Sequence, residues 1–175
     1  MSDIQVTVTE HEGRRIASTG STWEPIVGYS RAVRVGQTIA VTGCVGIEAD
    51  GTFKPSLADQ SRRALKIVLA AIEALGGRAE DVIRTRIFVT DILRWREAGE
   101  AHGEVFGVIR PATTMVEVSR LIDPAALVEI EADAIVTMGS RSSSAGSVSE
   151  GRSNNPPSLP IFPSKESGIE SGRRA

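Results

Sequence analysis

Near the end of the apolar part of the chain, Val128, Ile130, Ala132, Ala134 and Val136 alternate with Glu129, Glu131 and Asp133. That two-residue period predicts a strand over residues 127–136 with one apolar and one charged face. β-branched runs with the same character predict strands at 14–19, 81–89 and 113–118. Residues 32–35 and 38–42 flank Gly36-Gln37, a two-residue loop opening on glycine that fits a type II′ hairpin. Between these stretches the period changes. Leu65, Val68, Leu69, Ile72 and Leu75 recur at helical spacing, Ser56 to Asp59 has the form of a capping-box variant, and Gly76-Gly77 supplies a left-handed stop. A second helix, about residues 93–106, brings Trp95, Ala98, His102, Val105 and Phe106 near one another, and Arg110-Pro111 marks the loop after it. The order is strands, helix, strand, helix, strands. It implies an α/β (α+β) protein with a mixed sheet and two helices on one face. The other sheet face is then expected to be apolar and uncovered, which points to an oligomer.

Composition adjusts this picture at one end. After Met138 the sequence turns to Ser, Gly, Pro and Asn, with little to bury, so 1–138 reads as the domain and 139–175 as a disordered tail. The tail carries five Lys/Arg against three Asp/Glu, leaving 15 basic and 19 acidic residues ahead of it. Its Leu159–Phe162 patch between prolines is open to a docking role or to none. With an overall charge of −2, nothing favours nucleic acid or an anionic membrane surface. Aromatic residues make up only 4%, so the core must be built from Val, Ile, Leu and Ala. No apolar run approaches the roughly 20 residues that span a bilayer. The opening MSDIQVTVTE lacks the pattern of a secretory signal. One cysteine and two histidines make a poor metal inventory, so neither metal nor cofactor is expected. A soluble cytoplasmic protein is the plain reading.

Several strings, in order and at matching spacing, carry a resemblance. They are Gly28-Tyr29-Ser30 before AVRVG, IAVTG at 39–43, Gln60, DVIRTRIFVTDI at 81–92, Arg110-Pro111-Ala112, VEVSRL at 116–121 and VEIEADA at 128–134. Together they resemble the Rid family, the reactive-intermediate imine/enamine deaminases. The resemblance implies a chorismate-mutase-like fold and a homotrimer with clefts between neighbouring subunits. In the family's deaminases an arginine after the Pro-Ala dipeptide grips the substrate carboxylate, and a glutamate near the start of the last strand positions the attacking water. By resemblance the glutamate is Glu129, the cleft tyrosine is Tyr29, and the strand end is Thr42-Gly43. The arginine position reads Thr113, which cannot supply a bidentate fork. A cleft asparagine of many relatives falls at Gly99.

Each candidate has a second reading. Glu129 either orients water or pairs with Arg84 or Arg86 across the sheet. Glu117 and Glu131 read as structural pairs. Arg31, two residues beyond Tyr29, shares its face if that stretch is extended, and either binds an anion in place of the missing arginine or makes a salt bridge elsewhere. Arg110 is a weaker substitute. Cys44 is a nucleophile only if its pKa is lowered, and otherwise a buried filler. His102 reads as a helix residue at the core edge, and Thr113 is either a ligand contact or a plain strand residue.

Two functions follow from the resemblance and its gap. One is an imine/enamine deaminase-like hydrolase, related to 2-iminobutanoate/2-iminopropanoate deaminases, acting on a small molecule other than the standard 2-imino acid. The other is a non-catalytic trimer that binds a small metabolite, or protects proteins, through the same clefts.

Overall fold

A computed structural model describes residues 4–137. The tail expected from residue 139 lies outside the described residues. The elements are strands β1 (Thr7–His11) and β2 (Arg14–Ser18), helix α1 (Trp23–Val27), β3 (Ala32–Val35), β4 (Thr38–Val45), α2 (Leu57–Ala74), β5 (Val82–Val89), α3 (Trp95–Phe106), β6 (Ala112–Glu117) and β7 (Val128–Ile135). They form one seven-stranded mixed sheet in the order β1-β2-β3-β4-β7-β5-β6. Only β5 and β6 run parallel, because α3 carries the chain back between them.

The local chemistry explains the boundaries. Gly36 has φ +57°, as a glycine-first hairpin turn between β3 and β4 requires. Ser56 caps α2 by accepting a bond from the Asp59 N–H at 3.1 Å. At the other end Gly76 is left-handed, and the Gly77 and Gly76 N–H groups bond the carbonyls of Ile72 and Glu73, a complete Schellman stop. Arg15 and Arg34 cross from the sheet to bond the Leu75 carbonyl, placing cations at the helix's negative end.

The helix α2 packs on β4, β7 and α3. Leu65, Val68 and Ile72 are fully buried against Ile39, Ile87 and Ile130, each contributing on the order of 1.5–3 kcal/mol. Gln60, also buried, ties two loops to α2. Its amide donates to the carbonyls of Lys54 (2.8 Å) and Ala125 (2.9 Å) and accepts from the Leu127 N–H (2.8 Å). Through Leu127 it fixes where β7 begins.

The structure corrects two expectations. First, the face turned away from the helices is not apolar. Glu129, Glu131 and Asp133 of β7 stand there beside Arg84, Arg86 and Phe88 of β5, with Arg86 bonded to Glu131 (3.3 Å) and Asp133 (3.1 Å). The alternation in β7 predicted charges on that side, and β5 supplies their partners. Second, two elements precede the expected first strand or follow it closely. The strand β1 pairs with β2 through a turn at Glu12-Gly13, where both residues have positive φ, and α1 sits between β2 and β3.

Candidate functional site

The central geometry arises from a bulge. Val41 lies opposite Ala132 and Cys44 opposite Ile130, so Thr42 and Gly43 on β4 together face one residue of β7. The Thr42 N–H still bonds the Arg31 carbonyl (3.0 Å) and its hydroxyl bonds the Ser30 carbonyl (2.9 Å). Gly43 is left beside Glu129 with no side chain, and the Glu129 carboxyl packs into the space a Cβ would fill. A side chain at position 43 and Glu129 in its present place exclude each other.

The half-buried Glu129 carboxylate makes no ion pair and no hydrogen bond with the described residues. Arg86, its alternative partner across the sheet, is taken up by Glu131 and Asp133. Burial pushes the Glu129 carboxyl above the usual carboxylate range, Glu131 pushes it further, and Arg31 acts in the opposite direction.

Arg31 is buried, 7% exposed, and points inward from the start of β3 rather than into solvent. Its Nη1 donates to the Gly43 carbonyl at 2.7 Å and to the Cys44 sulfur at 3.5 Å, its Nε to the Thr19 hydroxyl at 3.2 Å, and its Nη2 to the Tyr29 hydroxyl at 3.3 Å. The guanidinium carbon lies 5.6 Å from the Tyr29 ring centre. Beyond Thr19 stands Glu24 on α1, whose carboxylate accepts from the Thr19 N–H at 3.2 Å and is bonded by the Ser18 hydroxyl. Cys44 is fully buried, and desolvation raises its thiol to about 11 despite Arg31 nearby. It fills the core and is no nucleophile.

Thr19, Arg31, Cys44 and Glu129 line a cleft of about 950 Å³ at the end of the sheet where β4 runs out and β7 begins. Tyr29, Arg31, Thr42, Gly43 and Glu129 meet there, on one side, as the sequence led one to expect. Trp23, Ile47, Phe53 and Ile122 make other parts of the wall apolar.

Thr113 does not join them within one chain. It stands in register with Thr85 on the edge strand β6, on the helix side of the sheet. Its hydroxyl bonds that of Thr85 (2.9 Å), which in turn bonds His102 Nε2 (2.9 Å). Burial lowers the His102 pKa, so the ring is held neutral more readily than in water. Glu117 accepts from the Ile92 N–H (2.9 Å) and braces the entry to α3. Arg110 is exposed, left-handed at φ +57°, and outside the cleft lining. Gly99 packs beside Trp95.

Sequence reasoning missed Thr19 and Glu24. The signal was present in Ser21-Thr22-Trp23-Glu24-Pro25, where hydroxyl residues precede a proline early in a helix. Among the described residues no helix is long and apolar enough to cross a membrane, and no group of three or more His, Cys, Asp or Glu is placed to hold a metal.

A seven-stranded mixed sheet whose glycine bulge makes room for the side chain of a strand-end glutamate defines the class. Residues 19–136 match the family model for "Endoribonuclease L-PSP", and the chain belongs to that family, the YjgF/RutC/Rid proteins. It is 34% identical to an uncharacterised protein of Streptomyces coelicolor, over 73% of this chain and 95% of that one. It is 30% identical to a 2-iminobutanoate/2-iminopropanoate deaminase of Dermatophagoides farinae, over 70% of this chain and 97% of that one. Among solved structures, Rv2704 of Mycobacterium tuberculosis is 51% identical, with a TM-score of 0.66, covering 70% of this chain and 99% of that one. The YjgF gene product of E. coli is 30% identical, with a TM-score of 0.58, covering 61% and 87%.

Proposed function

We propose that the chain is a hydrolase of reactive imines or enamines, working as a homotrimer whose clefts lie between neighbouring subunits. The observation that carries this reading is Glu129, a half-buried carboxylate that makes no hydrogen bond or ion pair with the described residues and stands at the cleft wall. Such a group is free to hold a water. The water oxygen adds to the carbon of the C=N bond while its proton passes to Glu129. Glu129 returns that proton to nitrogen, giving a carbinolamine, then relays the hydroxyl proton to the same nitrogen as the C–N bond breaks, so that ammonia leaves behind a carbonyl product. The Tyr29, Thr42 and Gly43 walls orient the substrate and lower the entropy cost of the encounter. No step calls on a metal or cofactor.

The deaminase named among the relatives supports the reaction class. Thr113 argues against the smallest 2-imino acids, because it offers no charge-assisted grip on a carboxylate. The size of the cleft and its apolar walls suit a bulkier imine. Thr113 and His102 lie on the helix side of the sheet, away from Glu129. In a trimer a neighbour's β6 edge would bring them to this cleft. Thr113 also favours the second reading, a non-catalytic binding trimer that acts outside nucleic acid and membranes. Turnover of imines made in situ by an amino-acid oxidase separates the two.

A further inference from the structure

Arg31 is a buried cation with no carboxylate in contact among the described residues. Elsewhere in the described residues Arg62, Arg86 and Arg94 each meet acidic partners directly, and the other buried arginine, Arg63, lies 3.5 Å from Glu48. Arg31 instead donates four of its five N–H groups to neutral acceptors: a hydroxyl, a carbonyl, a thiol and a phenol. Its nearest compensation is Glu24, set one residue back because the Thr19 hydroxyl stands between them, accepting from Arg31 and bonding Glu24 at 3.3 Å. Taking a guanidinium out of water is tolerated when hydrogen bonds and counter-charge replace the solvent. Here the hydrogen bonds are built and the direct counter-charge is not.

The placement of this charge is equally specific. Arg31 holds the carbonyl of Gly43, and Glu129 packs against the Cα of the same residue. Cation and carboxylate therefore flank one backbone position, both facing the cleft. The Tyr29 hydroxyl accepts from Arg31 and donates to the Ser21 hydroxyl at 3.4 Å, so the remaining Nη2 hydrogen is the donor this pair has left for a ligand.

The geometry points to Arg31 as the anion anchor of the cleft, which makes the ligand a carboxylate whose acid group sits at Arg31 with its reacting carbon toward Glu129. This deepens the hydrolase reading and rests on it for the identity of the cleft. It assigns to the β3 side of the site the charge that the Thr113 position lacks. A 2-imino acid has its carboxylate one bond from the C=N carbon, so adjacent sites for anion and water are what its hydrolysis needs.

The test is calorimetric titration of the full chain with 4-methyl-2-oxopentanoate, a stable carbonyl counterpart of a bulky 2-imino acid, against its neutral amide. The acid should bind at least about 10-fold more tightly than the amide, as expected for a charge-assisted contact. Arg31→Gln, which keeps a donor for the Gly43 carbonyl but not the charge, should remove that preference, bringing the ratio of acid to amide affinity to about 1. Should Arg31→Gln fail to fold, the acid-to-amide ratio of the native protein and its loss with added salt still decide the matter. An acid bound no better than the amide, or equally well by native protein and Arg31→Gln, overturns the assignment. Glu129→Gln separates this inference from the one beneath it. If that variant keeps imine turnover while acid binding needs Arg31, the hydrolase reading fails and the anchor stands. If turnover needs Glu129 while Arg31→Gln binds acid normally, the anchor fails and the hydrolase reading stands.

Discussion

The Glu129 carboxyl occupies the space that a Cβ on residue 43 would need, with Glu129 Cδ 2.6 Å from that position. Glu129 is in register with Val45, and the bulge in β4 leaves Gly43 where the Glu129 side chain reaches it. Gly43→Ala should therefore displace Glu129, lower stability by about 1–3 kcal/mol as overpacking does, and abolish any imine turnover. A thermal melt and a rate measurement on the same sample check both halves. Full turnover in the alanine variant would show that Glu129 is not needed where it stands.

Burial holds the Glu129 carboxyl above its ordinary value of 4.5. The folded state then binds this proton more tightly than the unfolded state, so ionising Glu129 weakens the fold as pH rises through that window. Glu129→Gln should be more stable than the native chain at pH 7. The advantage should vanish as pH falls below the unfolded value, where both states carry the proton. Denaturant titrations at pH 4 and pH 7 measure it, and a variant less stable at pH 7 would mean the carboxylate is held by contacts worth more than its desolvation.

Much of this was legible in the sequence, and the gaps have causes. The β7 alternation located Glu129 on the charged face, and Ser56, Gly36 and Gly76 marked their caps and turns because each residue type does one local job. The strand β1 was missed although Ile4, Val6 and Val8 alternate with Gln5, Thr7 and Thr9. It lies at the sheet edge with no buried residue, so no core side chain announces it. The open sheet face looked apolar in prospect because the charges of β7 and β5 were read one strand at a time. Only register pairs Arg86 with Glu131 and Asp133. Tyr29, Arg31, Thr42 and Gly43 were named in advance, but the bulge that turns Gly43 toward Glu129 depends on strand pairing. Thr113 was expected with them, and its place on the helix side follows from its pairing with Thr85.

Restoring an arginine at the edge strand tests the other half of the cleft. Thr113→Arg should raise hydrolysis of 2-iminopropanoate by roughly 10- to 150-fold, the range for one charge-assisted bond to a carboxylate. Loss of the Thr113–Thr85 hydroxyl contact costs about 0.5–1.5 kcal/mol and should leave the fold intact. A well-folded Thr113→Arg protein with no gain would favour the binding-trimer reading.

The buried thiol gives a separate check on the site's packing. With its pKa at about 11, Cys44 should resist iodoacetamide at pH 8 in the native protein and react readily once denatured. Mass spectrometry reads the difference, and rapid native labelling would mean the wall between Arg31 and the core is open.

The central claim is that Glu129 directs water onto an imine, and one measurement addresses it directly. Imines are generated from a panel of amino acids by an oxidase, and ammonia release is followed with native protein, with Glu129→Gln and with neither. The account predicts faster release from at least one imine bearing a bulky apolar side chain, slower action on 2-iminopropanoate, and a loss of about 100-fold or more in Glu129→Gln. Ammonia appearing no faster with the native protein than without it, or equally fast with Glu129→Gln, would contradict the account.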